Sequence, residues 1–348
     1  MSNAKPNYLK QSIIMKHRPN GVPTLNDFAL EENTIDASSL KRGELLIKVL
    51  YLSLDPYMRC RMSLAKSYAD PLQEGDIVTG ESVGVILASK SEQYKVGQTV
   101  CSMSGWQSHH VTHETAPDLY ATFNDNIPLS TYLGIVGMPG RTAYLGFKHK
   151  AKAKSGETIV VSAASGAVGA IVGQLAKQQG LTVIGVAGSQ QKCDYVTQQL
   201  GFDHCISYLS DDFEDKLTAA CPKGVDIYWE GVGGRTLNAV ITLLNQGARV
   251  PICGFIANYN NAQRLTGTPM QIIAALENPP EHGFFLVSDW LDEYIEASEF
   301  LAQSVVEGSL KFRESMAVGL ESAPSAFIGM LSGKNFGKQV VRVSIDVE

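Results

Sequence analysis

Between Val160 and Lys177 the chain reads VVSAASGAVGAIVGQLAK, a run in which small residues stand where a packed helix would carry larger ones. Gly166 lets the backbone come close to a ligand, while Gly169 and Gly173, four apart, let a helix lie close to a strand. Val168, Ile171, Val172, Leu175 and Ala176 recur at i, i+3, i+4, i+7 and i+8, which puts one apolar helix face on a sheet. Ile159 to Ser162 reads as the strand and Ala163 to Ala167 as a tight turn. The N–H groups at the positive end of the helix would hold a dinucleotide's pyrophosphate. The spacing is AxxGxxG rather than GxGxxG, and small residues also serve plain helix packing. The place of the run between a strand and a helix favours the nucleotide.

The end of the next strand selects which nucleotide. Sites for an unphosphorylated ribose place Asp or Glu there, about twenty residues after the glycines. Here VIGVAGSQQK offers Gly188, Ser189 and Lys192. A carboxylate would repel a 2′-phosphate, whereas a hydroxyl and an ammonium hold one, so the expected cofactor is NADP(H). The alternative for Lys192 is a solvated lysine in the first turn of a helix.

These groups need a scaffold. Apolar runs at Thr158 to Ser162, Thr182 to Ala187, Cys205 to Tyr208, Val225 to Trp229, Ala248 to Cys253 and Phe284 to Val287 alternate with amphipathic helices. That is the pattern of an α/β domain with a parallel sheet covered on both faces. Pro251 lacks a ladder donor and argues for an edge position or a bulge in its strand. The first third differs: GELLIKVLYLSL, DIVTGESVGVILASK and VGQTVCSMSGWQSHHVTH are Val, Ile and Leu runs broken by Gly, Asp and Ser, as in a small barrel or meander. The final GKNFGKQVVRVSIDVE reads as a strand returning to that first domain. With 348 residues two domains are expected, the second inserted in the first: 1–132, then 133–312, then 313–348 back in the first.

Composition excludes several classes. A formal charge of −6 with no Lys/Arg block argues against nucleic acid. The opening MSNAKPNYLKQSIIMKHRPNG has no apolar core of signal-peptide length, and no stretch reaches the roughly 18 uninterrupted apolar residues of a membrane helix. A cytoplasmic protein is expected. Six cysteines, Cys60, Cys101, Cys193, Cys205, Cys221 and Cys253, lie far apart with no CxxC pair, so reduced thiols and no zinc cluster are expected. His109 and His113 in HHVTH would make two metal ligands on a helix, but Val111 and Thr112 between them look extended.

Together with SLDPYMR (53–59), GMPGRTAY (137–144), CGFIANYN (253–260) and GKNFGK (333–338), the chain resembles the medium-chain dehydrogenase/reductase superfamily. Within it, the chain is similar to the zinc-independent, NADP-dependent branch of prostaglandin/leukotriene, plant alkenal and bacterial curcumin reductases. The resemblance covers nearly the whole chain in order. It implies a GroES-like β-barrel catalytic domain built from both termini, an inserted doubly wound Rossmann domain, and a homodimer.

It also carries site residues over. Gly166, Ala167, Val168 and Gly169 fall at the pyrophosphate turn, and Lys192 and Tyr208 at the adenosine phosphate end. Cys253, Gly254, Phe255, Ile256 and Tyr259, with Phe285, Leu286 and Val287, fall along the nicotinamide side, and Asn335 of GKN completes the site. Tyr57 of DPY matches a tyrosine bordering the substrate pocket. The zinc branch's GHE is replaced by GES, Gly80 to Ser82. Two departures stand out: EGVGG has Gly231 where the family carries Asn, and GMPGRTAY has Arg141 where an apolar residue is common. Arg141 is expected to face solvent or an interface, since long charged side chains are seldom fully buried.

The reaction the resemblance implies is hydride transfer from NADPH to the β-carbon of an α,β-unsaturated ketone or aldehyde, then protonation of the α-carbon. Negative charge builds on the carbonyl oxygen and needs a donor. Tyr259 is the first candidate, because a phenol of pKa about 10 stays protonated at neutral pH; Tyr57 is the second. Packing beside the turn, for Tyr259, and lining the pocket, for Tyr57, are the plainer readings. An NADPH quinone oxidoreductase and a non-catalytic NADPH-binding protein are the competing functions, and fold alone does not choose among them. Substrate preference is expected to lie in loops such as NNAQRLTGTPMQ (260–271).

Overall fold

A computed structural model describes residues 7–65, 69–261 and 267–344. The chain divides into two compact units: one runs to Leu133 and resumes over Ser315–Asn335 and from Gln339, and the other is Gly134–Glu314 with Phe336–Lys338.

In the first unit β1 (Asn7–Met15) and β2 (Phe28–Asp36) form an antiparallel pair. Around β3 (Glu44–Ser53) lies an antiparallel sheet with β4 (Ser82–Ser89), β5 (Thr99–Ser102), β6 (His109–His113) and β7 (Tyr120–Ala121). The short helix α1 (Tyr57–Arg61) follows β3 directly. His109 and His113 do lie on an extended strand, β6, which pairs with β3. Trp106, fully buried, holds the core together, stacked on Phe28 and edge-on to Phe327.

The second unit is a six-stranded parallel sheet of β8 (Thr158–Val161), β9 (Thr182–Ala187), β10 (His204–Ser207), β11 (Val225–Trp229), β12 (Leu244–Ile252) and β13 (Glu281–Phe284), in the order β10-β9-β8-β11-β12-β13. All four residues of β8 are buried, as a strand covered on both faces requires. The connecting helices are α2 (Met138–Gly146), α3 (Gly169–Gln178), α4 (Gln190–Gln198), α5 (Phe213–Ala220), α6 (Gly234–Val240), α7 (Pro269–Ala274) and α8 (Tyr294–Val306). This order, reversing beside the first strand, is that of the doubly wound nucleotide fold, whose ligand crevice lies at the carboxyl ends of the strands. The chain then returns through β14 (Glu314–Val318), α9 (Ala323–Leu331) and β15 (Lys338–Arg342), which pairs with β3 as the terminal alternation led one to expect.

Three local expectations are corrected. The last parallel strand is Glu281–Phe284, not Phe284–Val287: it is the sheet's edge and half-exposed, so it has no need of an apolar run. Pro251 is neither on an edge strand nor at a bulge; β12 pairs on both sides, its register shift lies upstream between Leu244 and Arg249, and the Pro251 carbonyl still accepts the Glu230 N–H. Arg141 is 7 % exposed, its guanidinium 4.7 Å from the centre of the Tyr294 ring and bonded to the Ser298 hydroxyl at 3.3 Å. An aromatic face and a hydroxyl within the unit make burial of that cation tolerable.

Gly173 shows how tightly α3 is seated. A Cβ there would stand 1.8 Å from the Phe202 ring, so the glycine admits this ring rather than the strand backbone. Gly173→Ala is expected to destabilise the protein by about 1–3 kcal/mol through overpacking, outweighing alanine's better helix propensity. Thermal melting reads the effect, and an unchanged midpoint would contradict this packing.

Candidate cofactor site

The turn after β8 is shaped by one residue in left-handed conformation, Ala163, at φ 47°. This turns the Ala163 carbonyl inward, where it accepts the Gly166 N–H at 2.8 Å. A Cβ on Gly169 would stand 2.6 Å from that oxygen, and one on Gly166 3.0 Å. Gly169 is thus demanded by backbone approach. Its chain neighbours aside, only Ala163 lies within 4 Å of a Cβ position on Gly166, and the turn leads into the N-terminal end of α3, which suits a diphosphate. Gly166 also bridges to Gly337. Beside it the Arg313 guanidinium lies 4.0 Å over the Phe336 ring and 5.6 Å from that of Tyr195. Nothing in the sequence marked Tyr195 or Arg313; only the final GKNFGK segment hinted that this stretch belonged to the site.

The parallel pairing of β9 with β10 brings the second group together. Tyr208 donates its N–H to the Ala187 carbonyl at 3.1 Å, and a Cβ on Gly188 would stand 3.3 Å from the Tyr208 hydroxyl oxygen. Ser189 caps α4 by accepting the Lys192 N–H, which fixes the hydroxyl at the strand end and leaves its proton to donate. Burial lowers the Lys192 ammonium pKa. An anion at this place would restore it.

The third group hangs on a residue that sequence reasoning missed. Glu230 is fully buried; its carboxylate accepts N–H groups from Val232 at 2.5 Å and Gly233 at 2.9 Å, and the Tyr228 hydroxyl at 2.9 Å. Burial pushes its pKa up. The Ser162 hydroxyl ties β8 to this turn, donating to the Trp229 carbonyl and accepting the Gly231 N–H at 2.8 Å. The segment after β12 rests on the same turn, with Ile256 and Ala257 donating to the Gly231 and Val232 carbonyls. Gly231 has ordinary clearance, its nearest neighbour the Cys253 sulfur at 3.5 Å from a Cβ, so the backbone here does not itself demand glycine. Burial pushes the Cys253 thiol up to about 12, which keeps it protonated.

Tyr259 follows a turn of 3₁₀ helix, Ile256–Asn258. Its oxygen accepts the Phe255 N–H at 3.2 Å and packs against Gly254, with its ring edge-on to Phe255. Phe285 is 3 % exposed and turned inward against Gly146 and Trp229, so only its backbone is available to a ligand. Leu286 and Val287 follow as the start of a 3₁₀ turn.

Tyr57 and Asn335 belong to the first unit. Tyr57 opens α1, which is anchored by buried Arg59 bonding the Gly21 carbonyl at 2.8 Å. Glu81, in the GES triplet, accepts the Tyr120 hydroxyl at 3.2 Å. Among the described residues no group of three or more His, Cys, Asp or Glu is arranged to hold a metal, and no helix is long and apolar enough to cross a membrane. Of the stretch 260–271, residues 262–266 lie outside the described residues.

Comparison with known proteins supplies the rest. A family described as the N-terminal domain of oxidoreductase matches residues 11–118, and one described as zinc-binding dehydrogenase matches 167–303. The NADPH-dependent curcumin reductase of Escherichia coli (strain K12) is 41% identical over 337 residues, 96% of each chain. The 2-alkenal reductase (NADP(+)-dependent) of Nicotiana tabacum is 38% identical, covering 96% of this chain and 97% of that one. Crystalline CurA from Vibrio vulnificus in complex with NADPH is 40% identical, with a TM-score of 0.89, over 97% of this chain and 100% of that one.

Proposed function

Because the chain belongs to the NADP-dependent medium-chain dehydrogenase/reductase family of these reductases, we propose that it uses NADPH to reduce the carbon–carbon double bond of α,β-unsaturated ketones and aldehydes. The observation that carries this reading is the strand-end cluster of Gly188, Ser189, Lys192 and Tyr208, two donors and a cation with no carboxylate, in the unit that also holds the Gly166 turn.

When bound, NADPH supplies the hydride that adds to the substrate's β-carbon. The protein's part is to hold and to polarise. Amides from Gly166 through Ala167 and Val168 to Gly169 bind the diphosphate with the positive end of α3, and Lys192, Ser189 and Tyr208 hold the 2′-phosphate. The backbone of Cys253 to Ile256 and of Phe285 to Val287 lines the nicotinamide side, with Asn335 as a further contact and Glu230 keeping the first of these segments in place. Tyr259 donates its hydroxyl proton toward the oxygen on which enolate charge develops. Tyr57 borders the substrate. In this reading 1–132 with 313–348 form the catalytic domain and 133–312 the NADP-binding domain. The protein acts as a cytoplasmic homodimer, supported by the family resemblance, by its charge of −6 and by a sequence with no membrane-length apolar run.

NADPH oxidation against a panel of 2-alkenals, benzylideneacetone-type enones and quinones tests the reading. Turnover on enones above quinones is expected. Quinone preference would assign the competing oxidoreductase function, and tight NADPH binding with no turnover a binding role. Tyr259→Phe is expected to lower kcat on enones by about 10- to 100-fold, at the low end of losing one oxyanion donor, with the KM for NADPH little changed. An unaltered kcat would return Tyr259 to packing.

A further inference from the structure

Cys193 on α4 and Cys205 on β10 face each other with their thiols hydrogen-bonded. The Cys205 sulfur also lies over β9, 3.0 Å from a Cβ position on Gly185, a glycine that makes room for it. Both residues line a cavity of about 450 Å³ walled also by Asp194, His204 and Lys216, and Cys205 is partly exposed. Cys193 itself is 1 % exposed, so a small solute reaches its sulfur only from this cavity, past the partly exposed Cys205. The two sulfurs are unequal: accepting the Cys205 hydrogen bond lowers the Cys193 pKa against the effect of burial, whereas that bond and burial push Cys205 far up. Cys193 also sits in the first turn of α4, where the helix's positive end favours a thiolate.

We infer that Cys193 and Cys205 are a redox-active pair that hydroperoxides convert to an intramolecular disulfide, loosening the grip on the cofactor's 2′-phosphate. The Cys193 thiolate attacks the peroxide; the O–O bond breaks, a sulfenic acid forms on Cys193, and the other oxygen leaves as alcohol or water after taking up a proton. The Cys205 sulfur then attacks the Cys193 sulfur. The S–S bond forms, the S–O bond breaks, and the departing hydroxide takes the Cys205 proton to leave as water. Two thiols lose two electrons and the peroxide gains them.

Bonded sulfurs are about 2.05 Å apart, closer than any thiol hydrogen bond, so closure draws α4 toward β10. Helix α4 carries Lys192 and is capped by Ser189, and β10 leads directly into Tyr208. The shift therefore falls on the groups assigned to the 2′-phosphate. The thiol chemistry is independent of the function proposed above; only its consequence for the cofactor rests on that reading.

The reduced, full-length protein is titrated with hydrogen peroxide, alkylated and mapped by peptide mass spectrometry. Free thiols are expected to fall by two from six, with a Cys193–Cys205 cross-linked peptide. Cys205→Ala should leave a sulfenic acid on Cys193 that dimedone traps, and Cys193→Ala should abolish the cross-link; either variant suffices should the other fold poorly. Calorimetry on the oxidised protein is expected to give a Kd for NADPH about tenfold weaker, an unchanged Kd for NADH, and recovery with dithiothreitol. Persistent alkylation of both cysteines, or a bridge that leaves the NADPH Kd unchanged, overturns the inference. Should the reduced protein take up no NADPH, the cofactor reading fails with the consequence drawn from it, while the cross-link map still decides the pair.

Discussion

Lys192→Ala is expected to weaken NADPH binding about a hundredfold, close to 2.7 kcal/mol, while the Kd for NADH changes less than about twofold. The ammonium is half-buried, with its pKa lowered by lost hydration. A charge already short of water gains more from an arriving phosphate than a solvated one would, since a charge-assisted bond then replaces an incomplete hydration shell. Ser189 and Tyr208 keep their places in the variant, because the cap uses the Lys192 backbone N–H and the Tyr208 pairing uses the Ala187 carbonyl. Calorimetric titration with the two nucleotides separates the outcomes: equal losses for NADPH and NADH would mean that Lys192 does not touch the 2′-phosphate.

The second large effect is expected at Glu230. Replacing it with alanine leaves two buried amides, of Val232 and Gly233, and the Tyr228 hydroxyl without their acceptor. At about 1–3 kcal/mol for each buried group left unsatisfied, offset where water enters, a loss of about 3–5 kcal/mol is expected. Cofactor affinity and kcat should fall with it, since the segment leading to Tyr259 is bonded to the carbonyls of Gly231 and Val232. Glu230→Gln retains an acceptor oxygen and should recover most of the stability. It should also change the pH dependence. Burial raises the Glu230 pKa above its ordinary 4.5, so the stability tied to its proton is fully present below that value and is lost as pH rises through the folded one. Glutamine has no proton to lose, so its stability relative to wild type should improve across that window. Denaturant unfolding across the pH range reads this slope, and parallel wild-type and glutamine curves would show that Glu230 does not titrate there.

Much of the nucleotide unit was legible because its chemistry is local. Strand, turn and helix follow one another between Thr158 and Gln178, and the glycine at 169 answers to the backbone of Ala163 six residues earlier. The absence of a carboxylate at 188–192 is likewise a fact of consecutive residues. Where neighbours come from afar the reading failed. Phe284 to Val287 look like a strand by composition, but the edge β13 takes its register from β12, which places it three residues earlier and turns Phe285 onto Trp229 and Gly146.

The order of small, apolar and charged residues by itself determined that strands and helices alternate around a parallel sheet and that the turn and strand end suit a phosphorylated dinucleotide, since strand periodicity, turn chemistry and charge at a strand end are properties of short segments. Tertiary structure alone decided where isolated polar side chains go. Arg141 is buried because Ser298, 157 positions away, and the Tyr294 ring receive it. Glu230 matters because the turn it caps is joined through Gly231 to the Ser162 hydroxyl, 69 positions earlier. A single charged or hydroxyl residue carries no periodic signal, so its fate depends on the partners that folding brings to it.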